Sequence, residues 1–127
     1  MGIHIYWDRK ASVVIRIDII GEWTWQEYNE VSAEIQAMIG SVSHPVYLVA
    51  DFRKGGRTPR SAGSLQYVKR ARDSRPENYA GTINIGADVV TRTTFFSGTI
   101  ISQRPPKNIH YVDTLEEAYD IIRSAHS

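Results

Sequence analysis

One run of residues constrains this chain more than any other. After Pro45 come Val46-Tyr47-Leu48-Val49-Ala50, five apolar residues in a row, and then Asp51. A strand with one face in water alternates apolar and polar residues, so a strand that is apolar throughout needs cover on both faces. The run predicts a central strand from Val46 to about Phe52, and the rest of the chain must supply its neighbours and its covering layers.

The flanking patterns do so. Ile3 to Trp7 reads as a first strand, and Asp8-Arg9-Lys10 as a polar turn. In a second strand, Ser12 to Ile20, Val13, Ile15, Ile17 and Ile19 share one face, and Val14, Arg16, Asp18 and Ile20 the other. Thr24-Trp25-Gln26-Glu27 is a capping box that opens a helix to about Ile39, with Gly40 as its C′ residue. Tyr28, Val31, Ile35, Met38 and Ile39 form the buried stripe of that helix, and Glu27, Glu30 and Glu34 an acidic flank. Past the basic loop Arg53-Lys54-Gly55-Gly56-Arg57, Thr58 reads as an N-cap and Pro59 as the first residue of a helix to about Arg72. Tyr79 to Ile85 is a fourth strand, with Ala80, Thr82 and Asn84 opposing Gly81, Ile83 and Ile85. Asp88 caps a helix over Val89 to Gln103, although that stretch is β-branched and contains Gly98. Asn108 to Val112 is a last strand, and Thr114-Leu115-Glu116-Glu117 a second capping box for a helix to about Ala125. The fold class is α/β (α+β). One domain spans 1–127, with a mixed sheet of about five strands, opened by an antiparallel hairpin, and about four helices packed on it.

Composition narrows the chemistry. None of the 127 residues is cysteine, which removes disulfides, thiolate nucleophiles and zinc–thiolate sites and fits a reducing compartment. Fifteen Lys and Arg against fourteen Asp and Glu leave +1, so no overall field draws the chain to nucleic acid or membrane. The first residues show no signal-peptide pattern and no apolar run is long enough for a membrane span, so a cytoplasmic location is expected. His4, His44, His110 and His126 lack ligand spacing, and no metal or cofactor is expected. Gly55-Gly56 lacks the pattern of a phosphate-binding loop, and no Ser-His-Asp arrangement can be read, so no enzyme is expected.

Four features remain as candidates. From Arg53 to Arg75 stand Arg53, Lys54, Arg57, Arg60, Lys69, Arg70, Arg72 and Arg75, with Asp73 the only acid among them. Such a cluster is either a solvated helix face or a surface for an anion or an acidic partner, centred on Arg53, Lys54, Arg57 and Arg60. Trp7, Trp23 and Trp25 fit core packing, an interface, or the cover of a small pocket. Asp51 ends the central strand, where open α/β sheets often place functional groups. Phe95, Phe96, Ile100 and Ile101 would wall an apolar pocket.

The order of elements resembles the STAS domain family over nearly the whole chain. It is most similar to the small bacterial SpoIIAA-like anti-sigma-factor antagonists, which are also grouped with SEC14-like lipid-binding domains. In that family an Asp-Ser-(Ser/Thr)-Gly segment begins the second helix, and its first serine is phosphorylated by a partner kinase. Arg60-Ser61-Ala62-Gly63 is the corresponding stretch: Ser61 and Gly63 match, while Arg60 replaces the acid and Ala62 the second hydroxyl. The resemblance implies a non-enzymatic regulatory protein-interaction domain, switched by phosphorylation of Ser61, with a protein partner; exposed sheet edges and the tryptophans would also suit a homodimer. A phosphate there would meet a helix N-terminus and the charges of Arg57 and Arg60. The alternative is a small apolar ligand or lipid-binding domain.

Overall fold

The computed structural model describes residues 2–60, 63–102 and 109–126. Its elements follow the order β1 (Ile3–Trp7), β2 (Val14–Ile19), α1 (Trp25–Gly40), β3 (Val46–Asp51), α2 (Ser64–Asp73), β4 (Tyr79–Ile85), α3 (Val89–Ile101), β5 (Ile109–Val112) and α4 (Leu115–His126). The five strands form one sheet in sequential order, with β1 antiparallel to β2 and the remaining pairs parallel. The α/β architecture expected from the sequence is the one observed.

All six residues of β3 are buried, and they divide between two cores. Leu48 and Ala50 join Ile15, Ile17, Ile19 and Ile35 in a core between the sheet and α1–α3. Tyr47 and Val49 join Val14, Ile83, Ile85 and Ala118 in a second core beneath α4. The unbroken apolar run thus has cover on each side, as a buried parallel strand requires.

Local signals hold at most element ends. Thr24 caps α1 by accepting the Glu27 amide at 3.0 Å, Asp88 caps α3 by accepting the Thr91 amide at 2.8 Å, and Thr114 accepts the Glu117 amide at 3.1 Å. The first capping box departs from its reciprocal form. The Glu27 carboxylate turns away from Thr24 and accepts the amides of Gly2 (3.3 Å) and Ile3 (3.1 Å), so it ties β1 to α1 and is not part of a solvated flank. Gly40 is the last helical residue and not a left-handed C′ position; Ser41 closes α1 in right-handed geometry, its amide reaching the Met38 and Ile39 carbonyls.

The start of α2 needs the largest correction. Thr58 and Pro59 do not open it; the helix begins at Ser64. The Thr58 hydroxyl pairs with that of Thr91 at 2.5 Å in the interior, and the Pro59 carbonyl accepts the Trp25 indole N–H at 2.9 Å. Those tertiary bonds hold the stretch in non-helical form, and a local cap signal worth about 1 kcal/mol does not outweigh them. The segment β2 is also shorter than its pattern: Ser12 and Val13 belong to the turn, and Ile20 makes an isolated bridge to Gly55. The β-branched stretch after Asp88 is helical, and Gly98 explains part of it. A Cβ there would lie 2.4 Å from the Val68 Cβ, so its absence lets α3 pack closely on α2. Gln103 and Asn108, expected at the ends of α3 and β5, lie outside the described residues.

Candidate functional site

The eight-residue basic cluster does not form one surface. Arg53 grips Asp51 through Nε (3.0 Å) and Nη2 (2.8 Å), and Lys54 lies 3.4 Å from Asp18. Lys69 pairs with Asp73 at 2.6 Å, and Arg70 bonds to Asn29 at 3.2 Å. Arg57 and Arg60 are exposed. Arg72 and Arg75, by contrast, turn inward and are 7% and 8% exposed. Of the proposed anion surface of Arg53, Lys54, Arg57 and Arg60, the first two are thus engaged by carboxylates, and the Arg57 charge helps hold the Asp88 carboxyl below its ordinary value.

Arg53 and Lys54 belong to an ionic network on the α4 side of the sheet. Arg16 lies between Asp8 (3.9 Å), Asp18 (3.6 Å) and Asp51 (3.7 Å), and Tyr6 donates to Asp18 at 2.9 Å. Tyr119 of α4 donates to Asp8. Three acids face three bases, so the network has no surplus charge with which to attract an ion. Burial would raise the pKa of Asp51, but bonds from the Arg53 side chain and amide, with the Arg53 and Arg16 charges, bring it below the ordinary carboxylate value. A carboxylate held ionised in this way ties the end of β3 to the loop that follows it.

The other face of the sheet carries a hollow. A partly open cavity of about 80 Å³ lies between the sheet and α1–α3. Toward β1–β3 its wall is apolar, built by Ile3, Ile17, Ile19, Leu48 and Phe52. Toward β4 and β5 it is polar, because Thr82, Asn84 and Tyr111 project from the strands and Arg72 and Arg75 come from α2 and the turn after it. Tyr79 holds the two arginines. Its hydroxyl accepts from Arg72 Nη1 at 3.4 Å and meets the Thr82 hydroxyl, and its ring lies 5.9 Å from one guanidinium and 5.4 Å from the other. The two charges are felt across the hollow. Burial pushes the Tyr28 hydroxyl above its ordinary value, against the pull of Arg75 and Arg72; burial does the same at Tyr111, against Arg92 and Arg72.

The aromatic residues of the sequence support this hollow. Trp23 and Trp25 are buried and meet edge-on with ring centroids 4.8 Å apart, and Phe95 packs on Trp25, Tyr28 and Phe52. Trp7 packs at the margin of the same core. Of the expected pocket residues, Phe95 lines the cavity. Phe96, Ile100 and Ile101 do not: they are exposed on α3, whose cavity side is set by Phe95 and not by its neighbours. Sequence reading put Arg72 and Arg75 in a surface basic cluster, whereas they line the cavity, and it gave no role to Tyr79 or Thr82. The signal present was Thr82 and Asn84, polar residues two apart on an interior strand that point into the layer between sheet and helices; Ala80, expected on the same face, packs on the second core, because the pairing register shifts at the start of the strand.

Ser61 lies outside the described residues, as does Ala62. Near them, Pro59, Arg60 and Ser64 share a wide surface hollow with Val89, Val90, Thr93 and Thr94 of α3. Among the described residues no group of three or more His, Asp or Glu side chains gathers as a metal site, and no helix is long and apolar enough to cross a membrane. Compared with known proteins, the chain matches no family model, no curated protein and no solved structure. Fold and site together define a class: a mixed α/β domain with an amphipathic cavity beneath its helical layer.

Proposed function

We propose that the chain is a non-enzymatic binding domain that takes a small, largely apolar molecule into the cavity between the sheet and α1–α3. The observation that carries this reading is the hollow itself, in which an apolar wall of isoleucines faces a polar wall of buried arginine, tyrosine and threonine. Protein interiors otherwise pack with few voids larger than a water molecule. The reading places the domain in the cytoplasm, which the absence of cysteine suits.

Native mass spectrometry of protein purified without added ligand, together with solvent extraction of the same sample, tests this. A copurifying small molecule is expected, and an Ala50→Leu variant, which fills the cavity, should lose it while keeping the fold. An empty wild type whose interior resonances also ignore small apolar probes would refute the reading.

A second reading is the regulatory one: a STAS-type interaction domain that binds a protein partner and is switched at Ser61. It draws support from the order of elements and from Arg57 and Arg60, both exposed in the stretch that precedes α2. Intact-mass analysis from the native cell tests it. A phosphorylated fraction that disappears in Ser61→Ala supports the switch, and an unmodified serine under all growth conditions rejects it.

A further inference from the structure

We infer that α3 is a membrane-docking helix, whose exposed apolar ridge enters the headgroup layer of an anionic lipid bilayer while the arginines beside it hold the headgroups. The inference does not depend on what the cavity holds.

The first ground is where the apolar surface lies. Among the described residues seven large hydrophobic side chains are exposed, and five of them belong to α2 and α3: Leu65, Val89, Phe96, Ile100 and Ile101. Val89 is 78% exposed, Ile100 60% and Phe96 55%. Val89, Thr93, Phe96 and Ile100 follow at spacings of four, three and four, so they form one line along the outer side of the helix, about 16 Å long. The packed side is the other one, where Gly98 lies against Val68 and Phe95 against Trp25. Arg92 is the only charged residue of α3. A helix at a protein surface ordinarily turns charges to water, and a contiguous apolar outer face marks a contact.

The second ground is the border of the ridge. The total charge of +1 hides an uneven distribution, for residues 52–72 and 89–112 contain no Asp or Glu. Arg60, exposed, shares a surface hollow with Val89 and Thr93 at the start of the ridge. Arg57 is exposed near the head of α3, where the Asp88 carboxyl feels its charge. Arg92 lies over the Tyr111 ring at 5.5 Å. Three arginines against one aspartate leave this border positive. Beyond the far end, Asp73 is engaged by Lys69 and Ser102.

The third ground is the choice of occupant. A second copy would bring the same arginines together, and like charges oppose that pairing. A stable protein interface takes about 20–30 residues from each side, and α3 has 13 in all. A bilayer surface is soft, accepts a convex ridge without a matching groove, and when anionic attracts each cation near it. No described helix is long and apolar enough to cross a membrane, so the ridge lies in the plane of the interface.

Flotation of the full chain with lipid vesicles tests this. The chain should float with phosphatidylcholine vesicles that carry about one-third phosphatidylserine, and its affinity for phosphatidylcholine alone should be lower by about tenfold or more. Phe96→Ser combined with Ile100→Ser should weaken binding by about tenfold, and Arg60→Gln by about fivefold. Arg123→Gln, an exposed change on α4, should leave it unaltered. None of these side chains lines the cavity, and Val89→Ser repeats the measurement if the double variant does not fold. Failure to float with the anionic vesicles overturns the inference, as does equal affinity for the two compositions. So does an equal loss in Arg123→Gln and Arg60→Gln. A dimer in sedimentation that Phe96→Ser dissolves, with no vesicle binding, overturns it and assigns the ridge to a second copy. Each of these results leaves the cavity reading standing.

Discussion

Asp51 shows how much one side chain can organise. It is 1% exposed, accepts three bonds from Arg53 and shares Arg16 with two other aspartates. Asp51→Asn should cost about 2–3 kcal/mol at neutral pH, since it removes a charged acceptor and leaves Arg16 and Arg53 less well matched. Because Asp51 titrates lower in the folded chain than its unfolded value of about 3.9, its contribution is complete above that value and is lost as pH falls through the folded one. Urea unfolding of the two proteins should therefore show a wide gap at neutral pH that narrows as pH drops below about 4. A gap independent of pH would remove the carboxylate from this role. The importance of Asp51 was legible, because a lone acid at the end of an apolar strand needs a reason. Its partners were not: Arg16 lies two strand positions from Asp18 and on a different strand from Asp51, and only the pairing register brings the three together.

At the scale of elements, local rules succeeded wherever a side chain answered its own helix. Thr24, Asp88 and Thr114 do so, and Thr24→Ala should cost about 1 kcal/mol, measured as a shift in the unfolding midpoint at unchanged slope. They failed at Thr58-Pro59, where the hydroxyl and the carbonyl answer α3 and α1 instead. Gly98 follows the same logic. By helix propensity alone, Gly98→Ala would stabilise α3 by about 1 kcal/mol. The new methyl would meet Val68, however, so a net loss of about 1–3 kcal/mol is expected. Adding Val68→Ala should recover part of that loss, making the double variant more stable than the two single losses sum to; simple additivity would show that α2 and α3 do not meet there.

Across the whole molecule, the layer order was readable because one unbroken apolar strand demanded two coverings. The hollow was not readable, because it arises where helices of one layer fail to fill the space above Thr82 and Asn84, a matter of distances that no residue pattern encodes. Its occupancy should appear in global stability. At a concentration of bound ligand about a hundredfold above its dissociation constant, the folded state should gain about 2.7 kcal/mol, read by calorimetry, and Ala50→Leu, which fills the cavity, should gain far less.

The opposite face of the sheet has a different consequence. A β-surface of five strands is a place where concentrated protein solutions clump, one flat ribbon settling on another. Here Tyr6, Arg16 and Asp18 set a chequerboard of plus and minus where an oily stripe would otherwise lie. A neighbour docking there meets charges that pair with one another rather than an apolar stripe it could bury. Shelf life at high concentration should therefore depend on this patch, and Arg16→Leu, which strips Asp8, Asp18 and Asp51 of their shared base, should lower the melting temperature and turn clear stocks cloudy.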